Sequence, residues 1–280
     1  MTGRTPRNPC RFPSFARLGC AVAGIAALAG LLLTAAAAPP QGVPKLTVAV
    51  AANLETAMKE LQPDFERQAG AQLSIVTGAS GSLAVQIENG APFDVFLSAD
   101  MEYPRKLVSE HLADGATLYC YAAGRLVLWA PASVGLDLPK LGMDSMLSPR
   151  VTRIAMANPR HAPYGRAALE ALRYFKLYGK VSSKLVLGEN VSQAAQFVEA
   201  GDAQIGLLPL SLVIAPELKS QGGHYEIPAE AYPPIDQGAV VLAKSRNPEL
   251  AGKFLAYLKQ PATIRLLKKY GFLEPPALVP

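Results

Sequence analysis

The stretch 46-LTVAVAANL-54 joins a short apolar strand to the start of a helix. Its first five residues are apolar or β-branched, which is typical of a strand buried in a sheet. The apolar residues that follow recur every three or four positions and therefore share one face of a helix. They are Leu54, Met58, Leu61 and Phe65, and Gly70 is placed to end the helix.

The same alternation of strand and helix continues along the chain. Further strands are predicted at residues 73–76, 94–98, 126–130, 151–156, 184–187, 205–208 and 240–243. Further helices are predicted from Ser80 to Gly90 and at residues 165–174, 192–200 and 248–270. Short strands that alternate with helices predict an α/β protein, with mostly parallel sheets and helices on both faces.

The length of 280 residues suggests about two domains. The expected boundaries are the strand at 126–130 and the return at 238–243. One lobe would then contain residues 44–126 and 238–280, and the other residues 127–237. The chain would cross between the lobes twice, near Trp129 and Val240, and two crossing strands of this kind predict a hinge beside a ligand cleft.

The positive charge of the chain belongs to its N-terminal segment. The formal net charge is +5, but residues 1–37 hold four arginines and no acidic residue, which leaves 23 basic against 22 acidic residues in the remainder. A surface that binds nucleic acid is therefore not expected. Half of the residues are apolar, which excludes a disordered chain.

Residues 1–38 have the pattern of a secretory signal peptide. An arginine-bearing start precedes an apolar run at 18–33, and the small residues at 34–38 supply a cleavage site. The alternative is an uncleaved membrane anchor, since residues 18–38 are about long enough to span a bilayer. Either way the rest of the chain is exported. After cleavage only Cys120 remains, so neither an internal disulfide nor a free-cation site built on cysteines is expected.

Four predicted strands run directly into helix starts. The junctions are Ala52-Asn53, Ala79-Ser80, Pro163-Tyr164 and Asn190-Val191, two in each predicted lobe. In parallel sheets such junctions lie at the carboxyl edge of the strands, where α/β proteins bind ligands. Each helix start presents unpaired N–H groups and the positive end of a dipole. Together they predict a site for a small anion, although Asn53 or Ser80 taken alone is an ordinary helix cap.

The residue types at these junctions narrow the class of ligand. Phosphate keeps a proton at neutral pH, so a site selective for phosphate needs an acceptor. The junctions offer donors, and Glu189 is the acidic residue nearest to them in sequence. Sulfate, molybdate and tungstate, which are fully deprotonated, suit such a site. The choice among them depends on the radius of the cavity, which the sequence leaves open.

Several blocks resemble the periplasmic molybdate-binding proteins of ABC importers. They are 48-VAVAANL-54, 78-GASGSL-83, 86-QIENGAP-92, 94-DVFLSAD-100 and 269-KYGF-272. The resemblance implies a two-lobed type II periplasmic binding protein of the Venus-flytrap kind. Such a protein is a monomer that binds molybdate or tungstate, has no cofactor of its own and delivers the anion to a membrane ABC permease.

The resemblance also implies which residues hold the anion. Asn53 and Ser80 match ligand positions of the first lobe, and Tyr164 and Val191 match positions of the second lobe whose backbone N–H groups hold the anion. Pro209 departs from the pattern, since some members have a tyrosine hydroxyl there. Either Tyr164 or Asn53 compensates, or the site has one donor fewer.

Two other functions compete with this interpretation. A receptor for sulfate or another tetrahedral oxyanion would use the same donors. A serine hydrolase would need a nucleophile elbow, but 78-GASGS-82 has serine where G-x-S-x-G requires its last glycine. Its base would have to be a histidine such as His161, which lies close to Tyr164 in sequence.

Overall fold

The computed structural model describes residues 43–275, which form ten strands and eleven α-helices. The strands are β1 (Lys45–Ala51), β2 (Gln72–Gly78), β3 (Val95–Leu97), β4 (Tyr119–Gly124), β5 (Leu126–Pro131), β6 (Ile154–Ala157), β7 (Leu185–Gly188), β8 (Ile205–Pro209), β9 (Gly222–Glu226) and β10 (Ile235–Val241). The helices are α1 (Glu55–Ala69), α2 (Ser80–Glu88), α3 (Glu102–Ser109), α4 (Leu138–Leu141), α5 (Pro163–Tyr174), α6 (Tyr178–Val181), α7 (Val191–Glu199), α8 (Leu210–Val213), α9 (Pro216–Lys219), α10 (Pro248–Leu258) and α11 (Pro261–Lys269).

The predicted signal peptide at residues 1–38 lies outside the described residues. Between residues 43 and 275, no helix combines the length and the apolar character that crossing a membrane requires.

The strands form two sheets of five with the same plan. The first sheet has the order β2-β1-β3-β10-β4, and the second has the order β7-β6-β8-β5-β9. In each sheet four strands run in one direction and one strand, β10 or β5, runs against them. We call each sheet with the helices packed on it a lobe, the first lobe being the one built on β1. The predicted two-lobed α/β fold is confirmed.

Helices cover both faces of the first sheet because successive residues of a strand point to opposite faces. Val48 and Val50 of β1 pack in one hydrophobic cluster with residues of α1, α10 and α11. Ala49, which lies between them, packs with Leu83 of α2 and Leu107 of α3 in a second cluster. This arrangement explains why β1 is apolar at nearly every position rather than at every second one.

The chain crosses between the lobes at different places from those predicted. The first crossing is Arg125, between the end of β4 and the start of β5, and the second is the segment 227–234. Trp129 and Val240 instead lie inside β5 and β10, one in each sheet. The early start of β10 escaped the apolar pattern because Asp236, Gln237 and Gly238 interrupt it.

Other element boundaries also differ from the prediction. The single C-terminal helix is two helices, α10 and α11, because Pro261 lacks the N–H that would continue α10 and instead takes the first position of α11. The strand expected from Val151 begins at Ile154. The edge strands β4 and β9 were not predicted, since glycine, cysteine and histidine weaken their apolar alternation.

Direct contacts join the two lobes around the cleft. Gly81 N donates to the carbonyl of His161 at 2.8 Å, and Ser211 Oγ donates to the carbonyl of Asn53 at 2.8 Å. At the rim, Arg166 of α5 forms ion pairs with Asp100 and Glu102 of the first lobe. The structure therefore shows the two lobes closed on each other.

Glycine at position 124 allows this closure at the first crossing. A Cβ atom at Gly124 would overlap the hydroxyl of Tyr164, which belongs to the second lobe, and would lie 2.8 Å from Gln237 Nε2. No Cβ atom can approach these groups so closely, so a larger residue must displace these buried side chains or push the two lobes apart.

We expect Gly124→Ala to lower the free energy of unfolding by about 1–3 kcal/mol, because it overpacks a closed interface. For a domain of this size, thermal unfolding should show the melting temperature falling by about 2–4 °C per kcal/mol. Gly252→Ala is the matched control: this position in α10 has no atom within 4 Å of an added Cβ, so the change should be neutral or slightly stabilising. Equal melting temperatures for the two variants would contradict the assignment of Gly124.

Candidate functional site

The four residues that the sequence singled out line one small cavity between the lobes. Asn53 and Ser80 come from the first lobe, and Tyr164 and Val191 come from the second. The cavity is small, with an empty volume of about 200 Å³. The remaining lining residues are Ala51, Ala52, Gly78, Ala79, Ala99, Ala162, Pro163 and Asn190. None of the residues that line this cavity carries a charge.

Three α-helices and one shorter turn begin at this cavity. The N-cap residues of α2, α5 and α7 are Ala79, Ala162 and Asn190. The 3₁₀ turn Ala52–Leu54 leads into α1. The first N–H groups of a helix have no partner within it. The site therefore collects N–H donors and positive dipole ends from both lobes.

The N–H groups slightly deeper in two of these helices are already used. Gly81 N donates to the carbonyl of His161, and Gln193 N donates to the side chain of Asn190 at 3.0 Å. The N–H groups of Ser80 and Val191 come before them in the same helices. The N–H groups of Ser80 and Val191 are therefore the ones that can bind a ligand.

Asn53 and Ser80 do not act as helix caps, although the sequence of each junction alone suggested that role. The N-caps are Ala51 and Ala79, and neither polar side chain makes a capping hydrogen bond. Ser80 Oγ instead accepts a hydrogen bond from the backbone N–H of Ala99 at 2.9 Å. A hydroxyl that accepts one bond keeps its own proton to donate. Ser80 can thus offer an O–H donor in addition to its backbone N–H.

A buried polar network lies behind Asn53. Asn53 Nδ2 donates to Gln237 Oε1 at 2.9 Å, and Gln237 Nε2 donates to the hydroxyl of Tyr164 at 3.3 Å. The hydroxyl of Tyr121 lies 2.8 Å from Gln237 Oε1 and 3.2 Å from the carbonyl of Ser98. Asn53 Oδ1 is buried and has no hydrogen-bond partner. Gln237 therefore connects a cavity residue of each lobe.

Sequence reasoning missed Gln237 and Tyr121. Gln237 is fully buried, in a strand whose following residues are small or apolar. A β-bulge lies between Gln237 and Gly238, and bulges redirect side chains next to functional sites. An uncharged polar residue inside an apolar strand was the signal that could have pointed to this position.

Burial keeps both tyrosines of the network protonated. It raises the pKa of Tyr164 well above its usual range, although hydrogen bonds with Gln237 and Asn53 act in the opposite direction. Burial likewise raises the pKa of Tyr121. A raised tyrosine pKa means that the neutral O–H form persists throughout the physiological pH range. The network therefore adds no negative charge behind the cavity.

The carboxylate of Glu189, which is next to Asn190 in sequence, points away from the cavity. Glu189 accepts a hydrogen bond from Ser82 Oγ at 2.7 Å in an exposed contact across the cleft, and it does not line the cavity. Pro209 ends β8, where it pairs with Leu126, and it does not line the cavity either. Its neighbour Ser211 contributes indirectly, by donating to the carbonyl of Asn53.

The surroundings of Ser80 do not match those of a hydrolase nucleophile. Its Oγ is bonded to a backbone N–H rather than to a histidine. His161 contacts this region through its backbone carbonyl, which accepts from Gly81. A serine nucleophile needs a base that takes its proton.

Comparison with known proteins agrees with this geometry. The family model of the bacterial extracellular solute-binding proteins matches residues 46–273. The molybdate-binding protein ModA of Rhodobacter capsulatus is 35% identical over 263 residues, which are 94% of this chain and 98% of the relative. ModA of Azotobacter vinelandii is 37% identical over 245 residues, which are 87% of this chain and 94% of the relative.

Solved structures place the fold in the same group. The periplasmic molybdate-binding protein of Azotobacter vinelandii matches with a TM-score of 0.77 at 32% identity, over 82% of this chain and 99% of that one. The sulfate-binding protein SubI of Mycobacterium tuberculosis shares the fold, with a TM-score of 0.69 at 16% identity over 82% of this chain and 86% of that one. The chain belongs to the bacterial extracellular solute-binding proteins, in the group that contains the molybdate-binding proteins.

Proposed function

We propose that this protein captures molybdate outside the cytoplasm and delivers it to a membrane ABC permease. The observation that carries the proposal is the uncharged cavity at which helix starts from both lobes converge. The names of its relatives, which bind molybdate, support the same ligand. The signal-peptide pattern at residues 1–38 supports export to the periplasm.

In the proposed complex the anion accepts hydrogen bonds from four residues. Ser80 gives its hydroxyl and its N–H, Tyr164 and Val191 give backbone N–H groups, and Asn53 gives a donor of the first lobe. Hydrogen bonds to a charged group contribute roughly 1.5–3 kcal/mol each. About half a dozen of them suffice for tight binding after the cost of association.

The same geometry explains how the negative charge of the anion is stabilised without a cationic side chain. Partial positive charges at helix N-termini stabilise an anion in surroundings of low dielectric. Tungstate has the same charge and shape as molybdate, so we propose that it binds as well. The anion is cargo rather than a cofactor, and we propose no reaction, because Ser80 has no base beside it.

The first test of the site is Ser80→Ala. The loss of one hydroxyl donor should weaken molybdate binding by about 1–3 kcal/mol, measured by titration calorimetry. Ser82→Ala is the matched control on the same helix, since Ser82 bonds to Glu189 at the rim, and it should leave the affinity unchanged. Equal affinities for the Ser80 variant and the unaltered protein would remove Ser80 from the site.

The second test is the selectivity among oxyanions. At 100 times its dissociation constant, a ligand stabilises the folded state by about 2.7 kcal/mol. For a domain of this size, molybdate and tungstate should then raise the melting temperature by about 5–10 °C. Phosphate should produce no shift, because the donor site offers nothing to accept its proton.

Sulfate is the informative control in this experiment. It carries the charge and geometry of molybdate in a smaller sphere, so only donors spaced for the larger anion can discriminate against it. A shift with sulfate equal to that with molybdate at the same low concentration would reassign the protein as a sulfate receptor. If none of these anions shifts the melting temperature, the oxyanion proposal is wrong.

A further inference from the structure

We infer that Gln237 is a positioning residue that turns the amide of Asn53 so that its Nδ2 donor, rather than its Oδ1 acceptor, faces the bound anion. This inference rests on the proposed function. The starting observation concerns Asn53, which lines the cavity. The helix starts around this cavity present N–H donors, yet the atom of Asn53 that has no hydrogen-bond partner is an acceptor, the buried Oδ1. An acceptor facing an anion opposes binding, whereas a donor at the same place supports it.

The heavy-atom positions of the network fit two orientations of the Asn53 and Gln237 amides, which we call settings. Turning the amides of Asn53 and Gln237 by half a turn exchanges nitrogen and oxygen at each end and leaves all heavy-atom positions nearly unchanged. In the setting that the structure shows, Asn53 Nδ2 is used by Gln237 and Oδ1 is unpaired. In the other setting, Gln237 Nε2 donates to Asn53 Oδ1, and Asn53 Nδ2 becomes the unpaired atom.

Counting protons favours the second setting. In the first, Tyr121 has one proton for two acceptors, Gln237 Oε1 at 2.8 Å and the carbonyl of Ser98 at 3.2 Å. In the second, the two protons of Gln237 Nε2 go to Asn53 and Tyr121, so Tyr121 donates to Ser98 and its proton is used once. The hydroxyl of Tyr164 donates to Gln237 Oε1 along the 3.3 Å contact. Counting the Asn53–Tyr164 contact among the hydrogen bonds, both settings make four, but only the second leaves no Tyr121 proton shared between two acceptors and pairs the Asn53 acceptor inside the network.

Burial increases the energetic difference between the two settings. Asn53 is 1% exposed and Gln237 is 0% exposed, so bulk water does not replace a missing partner. Tyr121 and Tyr164 keep their protons because burial raises the pKa of both, so they act as donors in either setting. An anion in the cavity interacts favourably with the second setting alone and therefore selects it.

The energetic test is a double-mutant cycle with Asn53→Ala and Gln237→Met. Methionine is close to glutamine in size and cannot direct the Asn53 amide, so we expect Gln237→Met to weaken molybdate binding about five- to tenfold, measured by calorimetry. With alanine at position 53 there is no amide to orient, and adding Gln237→Met should change the affinity by less than about twofold. Gln72→Met, in exposed strand β2, is the control for the substitution itself and should bind as the unaltered protein does.

The cycle distinguishes a wrong proposed function from a wrong inference about Gln237. If the unaltered protein binds no molybdate, the proposed function is wrong. If the unaltered protein binds but Gln237→Met has no effect, Gln237 does not position the site. An equal loss with asparagine and with alanine at position 53 would mean that Gln237 acts through Tyr164, and this would also overturn the inference.

A spectroscopic test addresses the amide directly and needs no change in affinity. In protein labelled with ¹⁵N at glutamine and asparagine, the side-chain N–H signals of Gln237 can be assigned by their loss in Gln237→Met. With molybdate bound, these protons should show their stronger nuclear Overhauser effects to the ring of Tyr121. Stronger effects to the ring of Tyr164, the partner of Nε2 in the first setting, would refute the inference.

Discussion

The proposed function sets one constraint: a desolvated dianion must be held by hydrogen-bond donors without a charged side chain beside it. A single helix start offers few N–H groups, so the proposed site needs several starts that point to one place. Parallel strands bring such starts to one edge of a sheet, and two sheets facing each other double their number. The two-lobed plan, with α2 on one side and α5 and α7 on the other, meets this requirement.

Close approach of the lobes is the second element of the design. Where the lobes meet, the backbone itself makes contacts, as in the hydrogen bond from Gly81 to the carbonyl of His161. Glycine at positions 81 and 124 leaves room for the carbonyl of His161 and the hydroxyl of Tyr164. The charged pairs of Arg166 lie at the rim, where partial solvation weakens them. Charge thus sits around the cleft, while the cavity itself stays neutral.

The buried amides of Asn53 and Gln237 add specificity that backbone groups lack. A backbone N–H at a helix start can only donate, whereas an amide side chain can present either a donor or an acceptor. Such a side chain helps an anion site only if its orientation is controlled by other groups. In our proposal the partners of Gln237, one tyrosine from each lobe, supply that control.

The sequence by itself determined the alternating fold and the four junctions, because strand and helix periodicity and strand-to-helix turns are local properties of 46-LTVAVAANL-54 and its counterparts. It did not determine the crossing at 227–234 or the edge strands β4 and β9, since their pairing depends on partners distant in the chain. The alternative for Asn53 and Ser80, that each is an ordinary helix cap, is wrong, because a side chain near a helix start bonds locally unless a tertiary partner is closer. Only the tertiary structure showed that Ala99 and Gln237 are those partners. Gln237 is buried opposite a bulge in the neighbouring strand β4, and no local pattern encodes that environment.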